Sequence, residues 1–188
     1  MAIRFIDTGE NSAAMNMAID EALMLKSRVP VLRIYGWKPS AVSIGYFQGM
    51  EQEVNIRECQ KRGIDVVRRV TGGGAVFHDG EMTYSFVTRA FPKDVMDSYK
   101  LICSAVIKGL NGAGIPAEFS KINDIAVGGK KISGSAQTRK DGALLQHGTL
   151  LLDADIEKMF TVLKVPKEKL KDKGIKNVKE RVAPLGIS

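Results

Sequence analysis

Apolar positions along this chain fall into short runs that switch between helical and alternating spacing. Asn11 or Ser12 can cap a helix running to about Ser27, with Met15, Ala18, Ile19, Ala22, Leu23 and Leu25 as its apolar stripe. Val31–Trp37 and Ala41–Phe47 are β-rich, and Lys38-Pro39-Ser40 between them predicts a hairpin. Glu51–Arg62 reads as a helix ended by Gly63, and Ile64–Val70 as a strand running into Thr71 and three glycines. Ala75–His78 and Met82–Thr88 read as strands around the turn pair Asp79-Gly80. Asp94–Leu110 has helical spacing and stops at Gly112 and Gly114. Ile122–Val127 and Lys131–Ser133 flank Gly128-Gly129, and Ala143–Leu152 is the last strongly apolar strand. From Asp155 the chain reads as helices, one of them opened by Pro166. Strands follow strands, with helices inserted between groups. That order predicts an α+β fold with a mixed, mainly antiparallel sheet flanked by helices, in a single domain over residues 1–188.

Composition narrows the class. At 188 residues, with 44% hydrophobic and 26% charged, the chain can bury a core without disulfide or metal staples. Two cysteines fit a reduced cytoplasm better than a disulfide framework. No apolar run approaches the roughly 20 residues that span a bilayer. Met1–Glu10 carries Asp7 and Glu10 where a signal peptide would be basic and apolar. A cytoplasmic protein without membrane association is the expectation. The formal charge is +7, of which +5 lies between Glu157 and Arg181, leaving a nearly neutral body. With no interleaved aromatics and no nucleic-acid motif, that basic segment does not point to nucleic acid.

Three segments carry candidate chemistry. In Arg68-Arg69-Val70-Thr71-Gly72-Gly73-Gly74-Ala75-Val76-Phe77-His78-Asp79, three glycines after a strand let the backbone approach a ligand closely. The two arginines could meet a phosphate or carboxylate. A P-loop would need Gly-Lys-Ser/Thr where Ala75-Val76 stands, and the Rossmann fingerprint a glycine where Phe77 stands. A bare glycine-rich turn remains the alternative. The second segment runs from Asn123-Asp124 through Gly128-Gly129-Lys130-Lys131-Ile132-Ser133-Gly134-Ser135-Ala136-Gln137. Its lysine could meet an anionic ligand and its Asn-Asp pair could supply oxygen to Mg²⁺. Equally, it could be a hairpin with solvated lysines at its tip. In the third, His147 interrupts an apolar strand before Gly148-Thr149, which by itself suits a hydrogen-bonded core residue. Two histidines without a cysteine or carboxylate pattern make a poor zinc site.

Taken in order, these segments resemble the lipoate–protein ligase A family of the biotin/lipoate protein ligase superfamily. Asn16-Met17-Ala18-Ile19-Asp20-Glu21-Ala22, Ile44-Gly45-Tyr46-Phe47-Gln48 and Lys173–Val182 are similar to it as well, so the resemblance covers nearly the whole chain. It implies the superfamily's catalytic-domain fold and a ligase that makes lipoyl-AMP from lipoate and ATP, with Mg²⁺. The lipoyl group then passes to a lysine of an acceptor such as the glycine cleavage H protein or an E2 subunit of a 2-oxoacid dehydrogenase. Lys131 matches the family's catalytic lysine, which would neutralise charge between the two anions. Arg69, Thr71, Gly72, Gly73, Gly74, Val76, His78, Gly134, Ser135, Ala136 and Gly148 match ligand-contacting positions. Asn123 and Asp124 would handle the nucleotide, Asp124 its Mg²⁺, and His147 would wall the acyl tunnel.

Other functions share these residues. A thiol-dependent octanoyl or lipoyl transferase has the same fold and glycine motif and carries the acyl group on cysteine. Here the cysteines are Cys59 and Cys103, both at helical positions, while Pro116 stands at one family nucleophile position. A transferase lacking that cysteine, or a non-catalytic acyl- or acceptor-binding module, are the alternatives to the ligase. Biotin ligase is disfavoured by the absence of a Gly-Arg-Gly-Arg loop. Many family members continue into a C-terminal accessory domain beyond the position of Ser188. A separate accessory subunit or a truncated chain is therefore expected, with the basic segment, including Lys169, Lys171 and Lys173, as its docking surface.

Overall fold

The computed structural model describes residues 2–164 and 184–186. Its elements are β1 (Arg4–Asn11), α1 (Ala13–Lys26), β2 (Val31–Trp37), β3 (Ala41–Ile44), α2 (Met50–Glu53), α3 (Ile56–Lys61), β4 (Asp65–Arg68), β5 (Val76–His78), β6 (Glu81–Thr88), α4 (Val95–Gly112), β7 (Ala117–Ser120), β8 (Asp124–Val127), β9 (Lys130–Lys140), β10 (Ala143–Leu151) and α5 (Ile156–Val162). A seven-stranded sheet has the order β1-β2-β6-β10-β9-β8-β7, and a three-stranded sheet the order β4-β3-β5. Among the described strand pairs only β1–β2 and β3–β4 run parallel. The fold is thus the expected α+β type, with a mostly antiparallel sheet flanked by helices.

Neither Lys38-Pro39-Ser40 nor the turn pair Asp79-Gly80 closes the expected hairpin, whereas β8 and β9 do form one across Gly128-Gly129. Val31–Trp37 pairs with β6 and β1, while Ala41–Ile44 belongs to the small sheet. Likewise β5 pairs with β3, and β6 joins the large sheet. Lys38-Pro39-Ser40 and Asp79-Gly80 are therefore corners where the chain changes sheets. Turn chemistry reports a reversal but not which partner the outgoing strand takes. The two corners are tied together: Ser40 Oγ donates to Asp79 Oδ1 at 2.7 Å.

Two helices also differ from expectation. Glu51–Arg62 is not one helix but two, because Val54 is extended and bridges Leu163 while Asn55 restarts the helix as its N-cap. In α1, capped by Ser12 as expected, the buried face is Ala13, Asn16, Met17, Asp20 and Met24. Met15 and Leu25 of the expected stripe are exposed. The helix turns polar Asn16 and Asp20 inward because the buried Arg33 guanidinium bonds to both. The short edge strand β7 was not anticipated from the sequence.

Apolar packing fills the space between sheets and helices. Val42, Ile44, Val54, Cys59, Ile64, Phe77 and Val162 pack the small sheet against α3 and α5. Cys103, Ala117, Ile125, Ile132 and Leu150 pack α4 against the large sheet. Each such fully buried aliphatic or aromatic side chain contributes on the order of 1.5–3 kcal/mol. Among the described residues no helix is long and apolar enough to cross a membrane. The helix expected at Pro166 and most of the basic segment, with Leu170, Ile175 and Val178, lie outside the described residues, as does the Lys173–Val182 motif.

Candidate active site

Strand register assembles the site. Across the large sheet, Ala136 pairs with His147, His147 with Ser85, and Ser85 with Arg33. Residues paired this way put their side chains on one face. On that face His147, Ser85 and Arg33 meet Asp20 of α1. Arg33 Nη1 donates to Asp20 Oδ1 at 2.7 Å, and Ser85 Oγ donates to the same oxygen at 2.7 Å. Tyr35 Oη donates to Asp20 Oδ2 at 2.9 Å, and His147 Nδ1 lies 3.2 Å from it. A carboxylate only accepts, so the His147 proton facing it sits on Nδ1. Burial by itself raises the Asp20 carboxyl, but the hydrogen bond and charge of His147, then the charge of Arg33, hold it below its ordinary value of 3.8.

From His147 the chain of contacts reaches the glycine loop. His147 Nε2 is 2.7 Å from Thr71 Oγ1, and Arg69 Nε donates to the same hydroxyl at 3.4 Å. The rest of the Arg69 guanidinium is spent on the Ser43 carbonyl and hydroxyl, both at 2.8 Å, and on the Gly72 and Gly74 carbonyls at 3.0 and 2.8 Å. Burial pulls this guanidinium down to about 10, so it stays charged at neutral pH. Arg69 thus shapes the loop from within. Gly73, at φ +94°, needs the left-handed region that glycine enters freely. Gly45 packs so closely on it that an added Cβ would sit 2.0 Å from the Gly73 carbonyl oxygen. Gly45→Ala is therefore expected to push the loop aside, costing about 1–3 kcal/mol of stability in a denaturant titration and lowering activity with it.

A second buried chain stands beside the first. His78 Nδ1 lies 2.6 Å from Glu81 Oε1, His78 Nε2 lies 2.6 Å from Ser43 Oγ, and the ring stacks on Trp37 with centroids 3.9 Å apart. Thus Ser43 links both histidine networks through Arg69.

Between these networks and the β8–β9 hairpin lies a cavity of about 560 Å³. Of the residues singled out in the sequence, Arg69, Gly73, Gly74, Val76, His78, Asn123, Lys131, Gly134, Ser135, Ala136, His147 and Gly148 line it. Thr71 stands behind His147, and the Gly72 carbonyl faces Arg69. Asp124 sits one step back: its Oδ1 receives Lys131 Nζ at 2.7 Å. Asn123 Nδ2 donates to the Ser135 carbonyl, pinning β8 to the strand that carries Lys131. Lys130 is exposed and does not line the cavity. Met17, Trp37 and, from α5, Met159 and Phe160 complete the walls. Met17 comes from the family-like Asn16–Ala22 segment, whereas Trp37, Met159 and Phe160 come from segments without a chemical signature, so only the fold could find them.

The profile of the lipoyl protein ligase A/B catalytic domain matches residues 12–186. The chain belongs to that family. Relatives of this lipoyl protein ligase A/B catalytic domain include the octanoyltransferase LipM of Kyrpidia tusciae, 39% identical over 212 residues that cover 97% of this chain and 77% of that one. The octanoyltransferase LipM of Bacillus subtilis is 35% identical over 213 residues with the same coverage. Among solved structures, the bi-partite lipoate protein ligase of Thermoplasma acidophilum, described with its E2 lipoyl domain, is 36% identical. Its TM-score is 0.89, covering 98% of this chain and 75% of that one.

These findings correct the sequence-based expectation at its finer level. The superfamily holds, and solved lipoate protein ligases share the fold, but the curated sequence relatives matched along nearly the whole chain are octanoyltransferases rather than ATP-dependent, AMP-forming ligases. ATP and Mg²⁺ as cofactors fall with the ligase. At the expected Mg²⁺ position, Asp124 Oδ1 faces the Lys131 ammonium. Among the described residues no cluster of three or more His, Cys, Asp or Glu side chains could hold a metal ion.

Proposed function

We propose that this domain transfers an octanoyl-type acyl group from a thioester donor to a lysine of a lipoyl-acceptor domain. The observation that carries it is Lys131, a 41% exposed ammonium paired with Asp124 at the edge of a largely apolar cavity in a chain related to octanoyltransferases. The acyl chain lies along walls such as Met17, Phe160 and Leu163, with its carbonyl toward Lys131. The acceptor amine attacks the carbonyl carbon, forming a C–N bond and an oxyanion that the Lys131 ammonium stabilises. Collapse breaks the C–S bond, and the proton lost by the amine leaves with the thiol. Asp124 holds Lys131 in place. The Thermoplasma acidophilum ligase is described together with an E2 lipoyl domain, which supports a folded domain as the acceptor here.

The acyl group does not pass through a cysteine. Cys59 and Cys103 are both buried, and burial pushes both thiols up, away from the thiolate a nucleophile needs. Cys103 also packs among Ala117, Ile125 and Leu150 in the apolar core. A Cys59→Ala/Cys103→Ala variant is expected to keep transfer within about threefold of wild type. Full loss in the folded variant, together with an acyl-thioester adduct on the wild-type chain, would overturn the direct route. The overall function is tested by incubating the protein with an octanoyl thioester and an apo E2 lipoyl domain without nucleotide, and reading the acceptor's intact mass. A gain of one octanoyl group, mapped to a single lysine, is expected.

A further inference from the structure

Beside the cavity the chain presents two aromatic rings to solvent. Phe47 is 91% exposed and Tyr46 55%, and their rings meet edge to face with centroids 5.0 Å apart. Such rings normally turn inward, and exposed aromatics on a fixed backbone are the residues that anchor protein interfaces. This backbone is fixed. Arg68 Nη1 donates to the carbonyls of Gly45, Tyr46 and Gln48, at 3.1, 3.0 and 2.5 Å. Gly45 N donates to Gln48 Oε1 at 2.9 Å, and Tyr46 N to the Thr71 carbonyl at 2.9 Å. Gly45 itself rests on Gly73, which lines the cavity. One arginine and the glycine loop thus fix the backbone that carries the two rings, next to the loop that lines the cavity.

We propose that the Tyr46–Phe47 loop docks the folded domain that brings the acceptor lysine. The inference rests on the acyl-transfer function above. A lysine side chain reaches only about 6 Å from its backbone, so the domain carrying it must cover the rim when its amine meets the acyl carbonyl. The rings are apolar contact area already in place at low ordering cost. The matching surface of the acceptor is therefore apolar opposite the rings.

The test uses Tyr46→Ser/Phe47→Ser with an apo E2 lipoyl domain as acceptor, an octanoyl thioester of a small thiol as donor, and Nα-acetyl-lysine amide as a minimal acceptor. The acceptor domain's KM is expected to rise at least tenfold. The donor's KM and transfer to the minimal acceptor should stay within twofold. Calorimetric titration of the acceptor domain without donor should show the same weakening, independently of any chemistry. Lost binding together with absent transfer by wild type would uphold the docking surface and overturn the acyl-transfer function. Unchanged acceptor affinity, no binding to wild type, or an effect confined to donor KM would overturn the docking surface, the last reassigning the loop to the donor.

Discussion

Lys131→Ala is expected to lower acyl transfer by about 100-fold or more, the usual loss when a group stabilising a developing oxyanion is removed. The fold should barely notice. Lys131 is 41% exposed and its ion pair with Asp124 is open to water, so the pair is worth about 1 kcal/mol or less to stability. Asp124→Asn should fall between wild type and Lys131→Ala, because it frees the ammonium without deleting it. Lys130→Ala should have little effect, since that side chain is exposed and lies outside the cavity wall. Thermal melts and steady-state rates on the same preparations separate these outcomes. A folded Lys131→Ala protein with wild-type turnover would remove Lys131 from the chemistry.

The largest stability effect is expected at Asp20→Ala, with a loss of about 3–5 kcal/mol in urea unfolding. The substitution leaves the Arg33 guanidinium, fully buried, without its counter-charge, and strips Tyr35, Ser85 and His147 of a common acceptor. The same carboxylate gives stability a pH dependence. Its folded pKa is depressed below 3.8, so its contribution is complete above that value and is lost as pH falls through the folded pKa. Wild type should therefore destabilise on acidification below about pH 4, and an Asp20→Asn variant should lose part of that slope. Equal acid slopes in the two proteins would show that Asp20 gains nothing from its partners.

What the sequence made legible follows the physics of proximity along the chain. The glycine loop, Lys131 and His147 each sit in a contiguous segment whose residue types already suggest chemistry, and the fold brings all three to one cavity. Asp20, Arg33 and Ser43 were not legible as parts of that cavity's frame, because they become neighbours only through strand register across sheets. The same cause sets the face of α1: apolar periodicity favours Met15 and Leu25, while the Asp20–Arg33 pair selects the face that is buried. Both false hairpins came from turns that change sheets. Asp124 looked like a metal ligand because its type permits one, and only the 2.7 Å contact with Lys131 shows its partner. The choice between ligase and transferase was not legible at all, since both chemistries need a cation beside an acyl carbonyl.

The central claim is direct transfer of a thioester-bound acyl group, and a two-donor experiment tests it most directly. The protein and an apo E2 lipoyl domain are mixed either with an octanoyl thioester or with octanoate, ATP and Mg²⁺, and acceptor mass and released thiol are followed together. The expected result is acylation in the first mixture only, with one thiol released per acyl group transferred. Acylation confined to the second mixture, with AMP formed, would contradict it.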